Sequence, residues 1–174
     1  MRIDGKGMKT PSMNQIAYLS LGSNIGDREG SLREAITRLG TLGRILSVSS
    51  FYETEPVEFA DQPWFLNCAV ALETALPPQQ LMETALQVER EMGRERMQKK
   101  GPRIIDIDIL LFGDLEIETR ELTIPHPAMH LRRFVLEPLA EIAPELRHPV
   151  LKNTIRELLE ELPPGQEVKK IRRT

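Results

Sequence analysis

The sequence predicts an α+β domain, and two observations lead to this class. First, apolar segments typical of strands alternate with segments whose apolar residues recur at helical spacing. Second, their order up to residue 112 is strand, helix, strand, strand, helix, strand. This is the split βαβ order, in which a mostly antiparallel sheet carries the helices. We therefore expect a ferredoxin-like βαββαβ core, followed by a C-terminal extension.

The first half of the core begins with a predicted strand over residues 16–21 and a glycine-containing loop over residues 22–27. Asp27 is suited to cap the helix that follows, and Gly40 is suited to end it. The apolar face of this helix consists of Leu32, Ala35, Ile36 and Leu39. The loop lacks the lysine of a P-loop, so by motif alone it is a strand-to-helix turn.

The second half of the core contains the remaining strands and the second helix. Residues 45–54 and 65–74 are predicted to form the second and third strands. The connection between them is longer than a hairpin needs, and long loops in compact domains are often lids or binding loops. The proline pair at residues 77–78 opens a helix that ends at Gly93, and residues 101–112 contain the fourth strand.

The C-terminal extension is predicted to add two short strands and two helices. A hairpin turn leads to strands over residues 115–118 and 122–124, and a short helix packs its apolar residues between 134 and 139. Thr154 and Glu157 have the spacing of a capping box at the start of the last helix.

Length and composition indicate one globular domain. The chain has 174 residues, a formal net charge of −3 and a pI near 5.7, which argue against general nucleic-acid or membrane binding. Cys68 is the single cysteine, so no intrachain disulfide is possible and a reducing cytoplasm is the expected compartment. We expect a disordered leader over residues 1–15, a single catalytic domain over residues 16–162, a polar and mobile tail over residues 163–174, and no obligate protein partner.

Two acidic residues interrupt the apolar run of the fourth strand. Asp106 and Asp108 point to the same face, about 7 Å apart along the backbone, while Ile105, Ile107 and Ile109 cover the other face. Neighbouring carboxylates in a dry setting repel each other, and a divalent cation would offset that repulsion. Two interpretations stay open at this point, a metal site and an edge strand whose acidic face is wet.

A basic stretch directly precedes the two aspartates. Its cationic residues are Arg94, Arg96, Lys99, Lys100 and Arg103. Such a stretch alone is most often a solvated loop. Next to paired carboxylates, however, it matches a nucleoside triphosphate, because carboxylates hold magnesium and guanidinium groups pair with phosphate oxygens. The combination favours phosphoryl-type transfer.

Two side chains on the third predicted strand suit a flat heterocycle. Phe65 and Asn67 share one face of the strand, so the ring can stack while the amide forms hydrogen bonds to a ligand edge. Core packing explains Phe65 equally well, but an inward amide must find partners. Phe134 is a further aromatic candidate. His126 lies between two prolines, where a histidine is more often structural.

Several of these motifs together resemble the 6-hydroxymethyl-7,8-dihydropterin pyrophosphokinase family of folate biosynthesis. The closest similarity is the run KKGPRIIDIDIL at residues 99–110. The other matching segments, in the order of the family, are residues 21–27, 49–54, 61–63, 65–67 and 125–127. The resemblance covers residues 16–160.

The resemblance implies transfer of a diphosphate from ATP to the hydroxymethyl group of a reduced pterin, with release of AMP. Two magnesium ions would bind Asp106 and Asp108, which form the implied catalytic set together with Arg94 and Arg103. The implied ATP-binding residues are Glu89, Arg94, Arg96, Arg103, Ile109, His126 and Arg132. The implied pterin-binding residues are Thr54, Val57, Phe65, Asn67 and Phe134. The loops at residues 22–27, 55–64 and 94–102 would close over the two substrates.

The chain departs from the family pattern at Glu58, Trp64 and Lys100. The first two positions bear on the flexibility of a loop, and Lys100 puts an adenine-stacking role there in doubt. The residues themselves leave two other functions open, a magnesium-dependent nucleotidyltransferase of palm-like fold and a non-catalytic nucleotide-binding regulatory module. No residue stands out as a general base, which phosphoryl-type transfer does not strictly require.

Overall fold

The computed structural model describes residues 14–56, 61–93 and 103–171. The described elements are β1 (Gln15–Ser23), α1 (Arg28–Leu39), β2 (Arg44–Val48), β3 (Tyr52–Thr54), β4 (Phe65–Thr74), α2 (Pro78–Glu91), β5 (Asp106–Phe112), β6 (Ile117–Glu118), β7 (Thr123–Ile124), α3 (Arg133–Ile142), α4 (Ile155–Glu161) and β8 (Val168–Lys170), with a short 3₁₀ turn at Met129–Leu131.

One antiparallel sheet organises the molecule. Its strands follow the order β5-β1-β4-β3-β8, and β2 also pairs with β4, while β6 and β7 form a separate hairpin. The fourth core strand therefore lies beside the first, and the first beside the third, as the split βαβ arrangement requires. The expected α+β, ferredoxin-like core is confirmed.

The second predicted strand, residues 45–54, is divided into β2 and β3. The interruption falls at Ser49, whose backbone N–H donates to the Ala69 carbonyl while its Oγ accepts from the Ala69 N–H at 2.9 Å. A side chain thus replaces a backbone carbonyl as the partner of β4. Because β4 keeps its hydrogen bonds, the neighbouring chain can break into two strands without leaving a buried group unpaired.

Helices cover both faces of the sheet, and each face has its own core. On one face, α1 and α2 pack Leu32, Leu39, Leu81 and other apolar residues against the inward residues of β1, β4 and β5. On the other face, α3 and α4 contribute a second cluster that includes Leu136 and Ile155. The C-terminal extension therefore buries much of the sheet face that a core with only α1 and α2 would leave open. The polar residues Asn67, Asp106 and Asp108 lie on this same face.

The predicted helix ends are confirmed. Asp27 caps α1 by accepting from the Gly30 N–H at 3.0 Å, and Gly40 follows its last residue. Thr154 and Glu157 form the reciprocal capping box of α4. These local bonds satisfy N–H groups that a helix start leaves without intrahelical partners.

The C-terminal segment differs from the mobile tail that the sequence suggested. Residues Val168–Lys170 form β8, which pairs antiparallel with β3 from Tyr52 to Thr54. An exposed edge of β3 would present unpaired backbone groups, and β8 supplies their partners. In contrast, residues 1–13, most of the expected leader, lie outside the described residues. Within the described part of the chain, no helix is both long and apolar enough to span a membrane.

Candidate active site

A row of residues across three strands forms the floor of the candidate site. Asp106 on β5 lies opposite Gly22 on β1, and Gly22 lies opposite Asn67 on β4. Residues that oppose each other in antiparallel strands share a face of the sheet. The backbones of Asp106 and Asn67 are therefore separated by two inter-strand spacings, which is about 10 Å.

Gly22 keeps this floor open. A Cβ at this position would lie 2.5 Å from Asn67 Nδ2 and 3.4 Å from a ring carbon of Phe65. The first distance is shorter than van der Waals contact allows, so a larger residue would displace the amide. The glycine-containing loop, which by motif is only a turn, thus begins with a residue whose lack of a side chain shapes the surface.

The two aspartates lie on the same face of β5, as the alternation predicted. Asp106 and Asp108 are half-buried, whereas Ile107 and Ile109 are each 7% exposed and belong to the core under α1 and α2. Arg103 Nη1 forms an ion pair with Asp106 Oδ2 at 2.9 Å. Arg103 and Asp106 are therefore paired at the start of β5, and Asp108 lies two residues further along the same face.

Arg103 retains hydrogen-bonding capacity in the site. Among the described residues, its Nε is a buried atom without a hydrogen-bond partner. An unpaired buried donor is costly, and a phosphate oxygen is a strong acceptor for a guanidinium group. The donor pattern of Arg103 therefore fits an anionic ligand beside Asp106.

Asn24 fixes the backbone at Arg103, and the sequence interpretation missed it. Its Oδ1 accepts from the Arg103 N–H at 2.7 Å, and its own N–H donates to the Arg103 carbonyl at 3.0 Å. Its Nδ2 donates to Gln62 Oε1 at 2.8 Å and to the Pro63 carbonyl at 3.1 Å. One amide, 1% exposed, thus joins three loops of the site. The available signal was an asparagine directly after a buried strand, where amides often bind backbone groups.

His126 is held as a neutral hydrogen-bond donor. Its backbone N–H donates to the Leu110 carbonyl, and its Nδ1 accepts from the Ala128 N–H at 3.1 Å. In the neutral ring the hydrogen therefore lies on Nε2. Burial lowers the pKa of His126, Arg132 lowers it further, and Asp106 acts in the opposite direction. Arg132 and Asp106 therefore influence the pKa of His126 in opposite directions.

Asn67 is buried and bound to its neighbours. Its Oδ1 accepts from Thr54 Oγ1 at 2.5 Å, and its Nδ2 donates to the Leu21 carbonyl at a longer distance of 3.3 Å. The amide is 4% exposed. The expectation that this inward amide finds partners is confirmed, and its orientation is fixed because one oxygen and one nitrogen have distinct partners.

Phe134 is the second residue of α3 and packs against the cluster on the same face of the sheet. The guanidinium carbon of Arg132 lies 5.6 Å from the centre of its ring. The backbone N–H of Phe134 donates to Gln166 Oε1 at 3.2 Å. A predicted pterin residue and a predicted nucleotide residue are therefore neighbours at the start of one helix.

Glu89 and Ile109 lie apart from the aspartate face. Glu89 is 3% exposed and accepts from the Ile107 backbone N–H at 2.6 Å, so it satisfies a donor on β5, which is an edge strand of the sheet. The side chain of Ile109 packs in the core under α1 and α2. Only its backbone can reach a ligand on the opposite face.

Several predicted positions lie outside the described residues. These are Val57, Arg94 and Arg96, together with the unusual residues Glu58 and Lys100. The third unusual residue, Trp64, is described. Its carbonyl accepts from Arg28 Nη1 at 3.1 Å, and Lys169 Nζ lies 6.0 Å from the centre of its ring.

The donor set at the end of β5 fits magnesium. Within residues 14–56, 61–93 and 103–171, no group of three histidine, cysteine or acidic side chains is placed to hold a metal ion. Magnesium does not need such a group, because it is commonly held by one or two carboxylates together with waters and substrate phosphates. Asp106 and Asp108 supply two oxygen donors of this kind.

Comparisons with known proteins agree on one family. The model of the 7,8-dihydro-6-hydroxymethylpterin-pyrophosphokinase (HPPK) family matches residues 18–144. The 2-amino-4-hydroxy-6-hydroxymethyldihydropteridine pyrophosphokinase of Bacillus subtilis is 52% identical over 136 residues, which are 77% of this chain and 81% of that protein. The enzyme of the same name from Methylorubrum extorquens is 45% identical over 151 residues, 86% of this chain and 94% of that protein.

Solved structures show the same fold within longer chains. Wild-type Plasmodium falciparum HPPK-DHPS with pteroate aligns with a TM-score of 0.68 at 21% identity, covering 88% of this chain and 43% of that one. This chain thus spans less than half of such structures, and only 21% of folic acid synthesis protein fol1 of Schizosaccharomyces pombe, to which it is 45% identical. From the family match and the bacterial relatives, we conclude that the chain belongs to the 7,8-dihydro-6-hydroxymethylpterin-pyrophosphokinase family.

Proposed function

We propose that the row Asp106, Gly22 and Asn67 carries the transfer of a diphosphate group from ATP to 6-hydroxymethyl-7,8-dihydropterin. The transfer is the activity of the family, and ATP is its co-substrate. The observation that supports the assignment is the placement of an acidic end and an amide end on one sheet face, about 10 Å apart. This spacing leaves room for a pterin whose hydroxymethyl group points toward the phosphates.

The reaction makes one bond and breaks one bond at the β-phosphorus of ATP. The pterin hydroxyl oxygen attacks this phosphorus, the bond to the oxygen bridging the α-phosphorus breaks, and AMP leaves as the hydroxyl proton is released. Since such transfers pass through a loose transition state, positioning and charge stabilisation supply most of the catalysis. The site therefore needs oriented charges more than a strong base.

The charged end is proposed to hold the triphosphate. Asp106 and Asp108 would hold two magnesium ions, which when bound offset the negative charge of the triphosphate oxygens. Arg103 orients a phosphate oxygen through its free Nε donor, because its Nη1 already pairs with Asp106. His126 donates from Nε2 without adding a charge, and Arg132 adds a cation beside it.

Roles for the other predicted nucleotide residues rest on the resemblance alone. Arg94 is proposed to act with Arg103 in catalysis, and Arg96 is proposed to contact ATP. Glu89 and Ile109 are proposed to lie near the nucleotide, Glu89 beside the edge strand β5, where it accepts from the Ile107 N–H, and Ile109 through its backbone, since its side chain packs in the core.

The neutral end is proposed to recognise the pterin. Asn67 presents an amide edge whose orientation is fixed by Thr54, and Phe65 lies beside it. Phe134 would stack on the pterin from α3. The backbone near Thr54 and Val57 would complete the pocket. A fixed amide rejects rings with the wrong donor pattern, because a mismatch leaves buried polar groups unpaired.

The decisive assay follows the nucleotide product. The protein is incubated with magnesium chloride, ATP and 6-hydroxymethyl-7,8-dihydropterin, and nucleotides are separated by chromatography. We expect AMP in equal amount to the pterin diphosphate. Release of pyrophosphate instead of AMP would indicate nucleotidyl transfer, and binding without turnover would indicate a regulatory module; either result would overturn the proposal. The cytoplasmic location stays a prediction.

A further inference from the structure

The segment that follows α4 connects the two chain regions proposed to contain the pterin site. At its start, Arg133 Nη2 donates to the Leu162 and Pro163 carbonyls at 3.4 and 3.3 Å. At its end, the Ile171 N–H donates to the Phe51 carbonyl at 2.8 Å, and β8 lies along β3 between these points. The segment therefore runs from the first turn of α3 to the edge of the sheet.

Gln166 stands at the middle of this connection. Its Oε1 accepts from the Phe134 N–H at 3.2 Å, and its Nε2 donates to the Glu55 carbonyl. The adjacent residue strengthens the second contact, because the Glu167 N–H donates to Glu55 Oε1 and the Glu55 N–H donates to the Glu167 carbonyl, both at 3.0 Å. One side-chain amide thus bridges α3 and the end of β3.

The bridge meets a need of each partner. Helix α3 begins without a side-chain cap, since its N-cap residue Arg132 makes no capping hydrogen bond. The Phe134 N–H is one of the donors that a helix start leaves without an intrahelical partner, and Gln166 satisfies it from outside. The Glu55 carbonyl follows directly after Thr54, which orients the amide of Asn67. An amide serves both partners because it donates and accepts at once.

We infer that Gln166 is a positioning residue that sets the separation between Phe134 and the Thr54–Asn67 wall of the pterin pocket. The inference rests on the proposed assignment of these three residues to pterin binding. Gln166 need not touch the pterin for this role. Its loss frees the start of α3 to move relative to β3, which weakens pterin binding. The phosphate end keeps its geometry, because β5 and Asn24 hold the two aspartates and Arg103, while the Arg132 N–H donates to the Met129 carbonyl on the 3₁₀ turn that precedes α3.

The test uses two substitutions of similar size. Gln166→Met removes both hydrogen bonds, while Gln166→Glu keeps the acceptor for Phe134 and places a carboxylate against the Glu55 carbonyl. Matched changes at Gln80, which is exposed on α2 on the opposite sheet face, serve as controls. The KM values for pterin and for ATP are measured separately in the AMP-release assay, each with the other substrate saturating.

We expect both Gln166 variants to raise the KM for the pterin about tenfold, the effect of losing one or two hydrogen bonds, with the KM for ATP within twofold of the parent. The Gln80 variants should match the parent. An unchanged pterin KM, or an equal rise for both substrates, would overturn the inference. If one Gln166 variant fails to fold, the other decides by the same criterion; failure of both would make Gln166 a structural residue and also overturn it.

A parallel variant separates this inference from the assignment beneath it. Phe134→Leu keeps an apolar side chain at the start of α3 but removes the aromatic ring. If Phe134→Leu leaves the pterin KM unchanged, the assignment of Phe134 to the pterin pocket is wrong, and the inference about Gln166 falls with it. If Phe134→Leu raises the pterin KM and the Gln166 variants do not, the assignment stands and only the inference is overturned.

Discussion

The half of the candidate site that we propose for the pterin is held together by hydrogen bonds between neutral groups, whereas the half that we propose for the phosphates consists mainly of charged side chains. Asn67 and Thr54 are both buried and form a hydrogen bond with each other. Asp106, Asp108 and Arg103 instead lie only partly buried at the start of β5. The fold alone fixes the neutral pair, whereas the charged side chains are proposed to act on a nucleotide and magnesium ions that they would hold when bound.

This difference separates two kinds of failure. A change in the phosphate half should lower turnover and leave pterin recognition intact, because charge stabilisation acts mainly in the transition state. A change in the pterin half should raise the KM for the pterin and leave ATP binding intact. Single substitutions in each half therefore test this separation.

Asp108→Ala should lower kcat about 10³-fold, since it removes one of two carboxylates proposed to hold magnesium beside the transferring group. The pterin KM should change less than twofold. Steady-state kinetics at saturating magnesium measure both values, and Asp114→Ala, on the exposed turn after β5, is the control. Near-normal turnover of Asp108→Ala would contradict the metal-binding role.

Asn67→Ala should raise the pterin KM about 30-fold, because the pocket loses the amide that reads the ring edge. It also leaves Thr54 Oγ1 without its acceptor, so the free energy of unfolding should fall by about 1–3 kcal/mol. Kinetics and urea unfolding measure the two effects.

Thr54→Val provides the comparison for Asn67→Ala. It removes the same hydrogen bond but retains the amide, so its pterin KM should rise by a smaller factor. Equal kinetic effects of the two substitutions would indicate that Asn67 acts only through the structure of the sheet. An ATP KM that rises as much as the pterin KM would contradict the separation of the two halves.

Gly22→Ala should raise the pterin KM about fivefold, since the new Cβ would meet Asn67 Nδ2 at 2.5 Å and force the amide to shift. The ATP KM should change less, because the nearest atoms belong to Asn67 and Phe65. Gly40→Ala is a suitable control, as that Cβ would lie 3.3 Å from the Thr37 carbonyl, far from the site. A larger rise in the ATP KM than in the pterin KM would place Gly22 in the phosphate half.

Local patterns predicted much of the fold and the acidic end of the site. Strand alternation predicted that Asp106 and Asp108 share a face, and the structure confirms it. Capping chemistry predicted the starts of α1 and α4, because each capping hydrogen bond joins residues that are three positions apart in the chain. Local sequence patterns are therefore sufficient to predict a feature when the interacting residues are close together in the chain.

Long-range partners could not be predicted in the same way. The contacts of Asn24 with Gln62 and Arg103 join residues 38 and 79 positions apart, and nothing in the local sequence specifies them. Gln166 lies in a polar segment that resembles a mobile tail by composition, yet it meets Glu55 across the sheet edge. A polar strand that pairs at an edge needs little apolar alternation, so its pattern does not distinguish it from a loop.

The smallest catalytic effect is expected at His148, which has no role in either half although it lines one cavity with His126. It is buried, its Nδ1 accepts from the Val150 and Leu151 N–H groups, and burial lowers its pKa, with a further decrease from His130 that Glu116 opposes. The folded protein therefore binds a proton at His148 less readily than the unfolded chain does, so stability is retained above pH 6.5 and decreases as the pH falls below it.

The substitution His148→Asn keeps a hydrogen-bond acceptor at this position but removes the titrating ring. Thermal unfolding from pH 7.5 to 5 should show a smaller loss of Tm for the variant than for the parent, with kcat at pH 7.5 within twofold. Identical Tm profiles would contradict the role of His148, and a large loss of kcat would extend the site beyond the two halves.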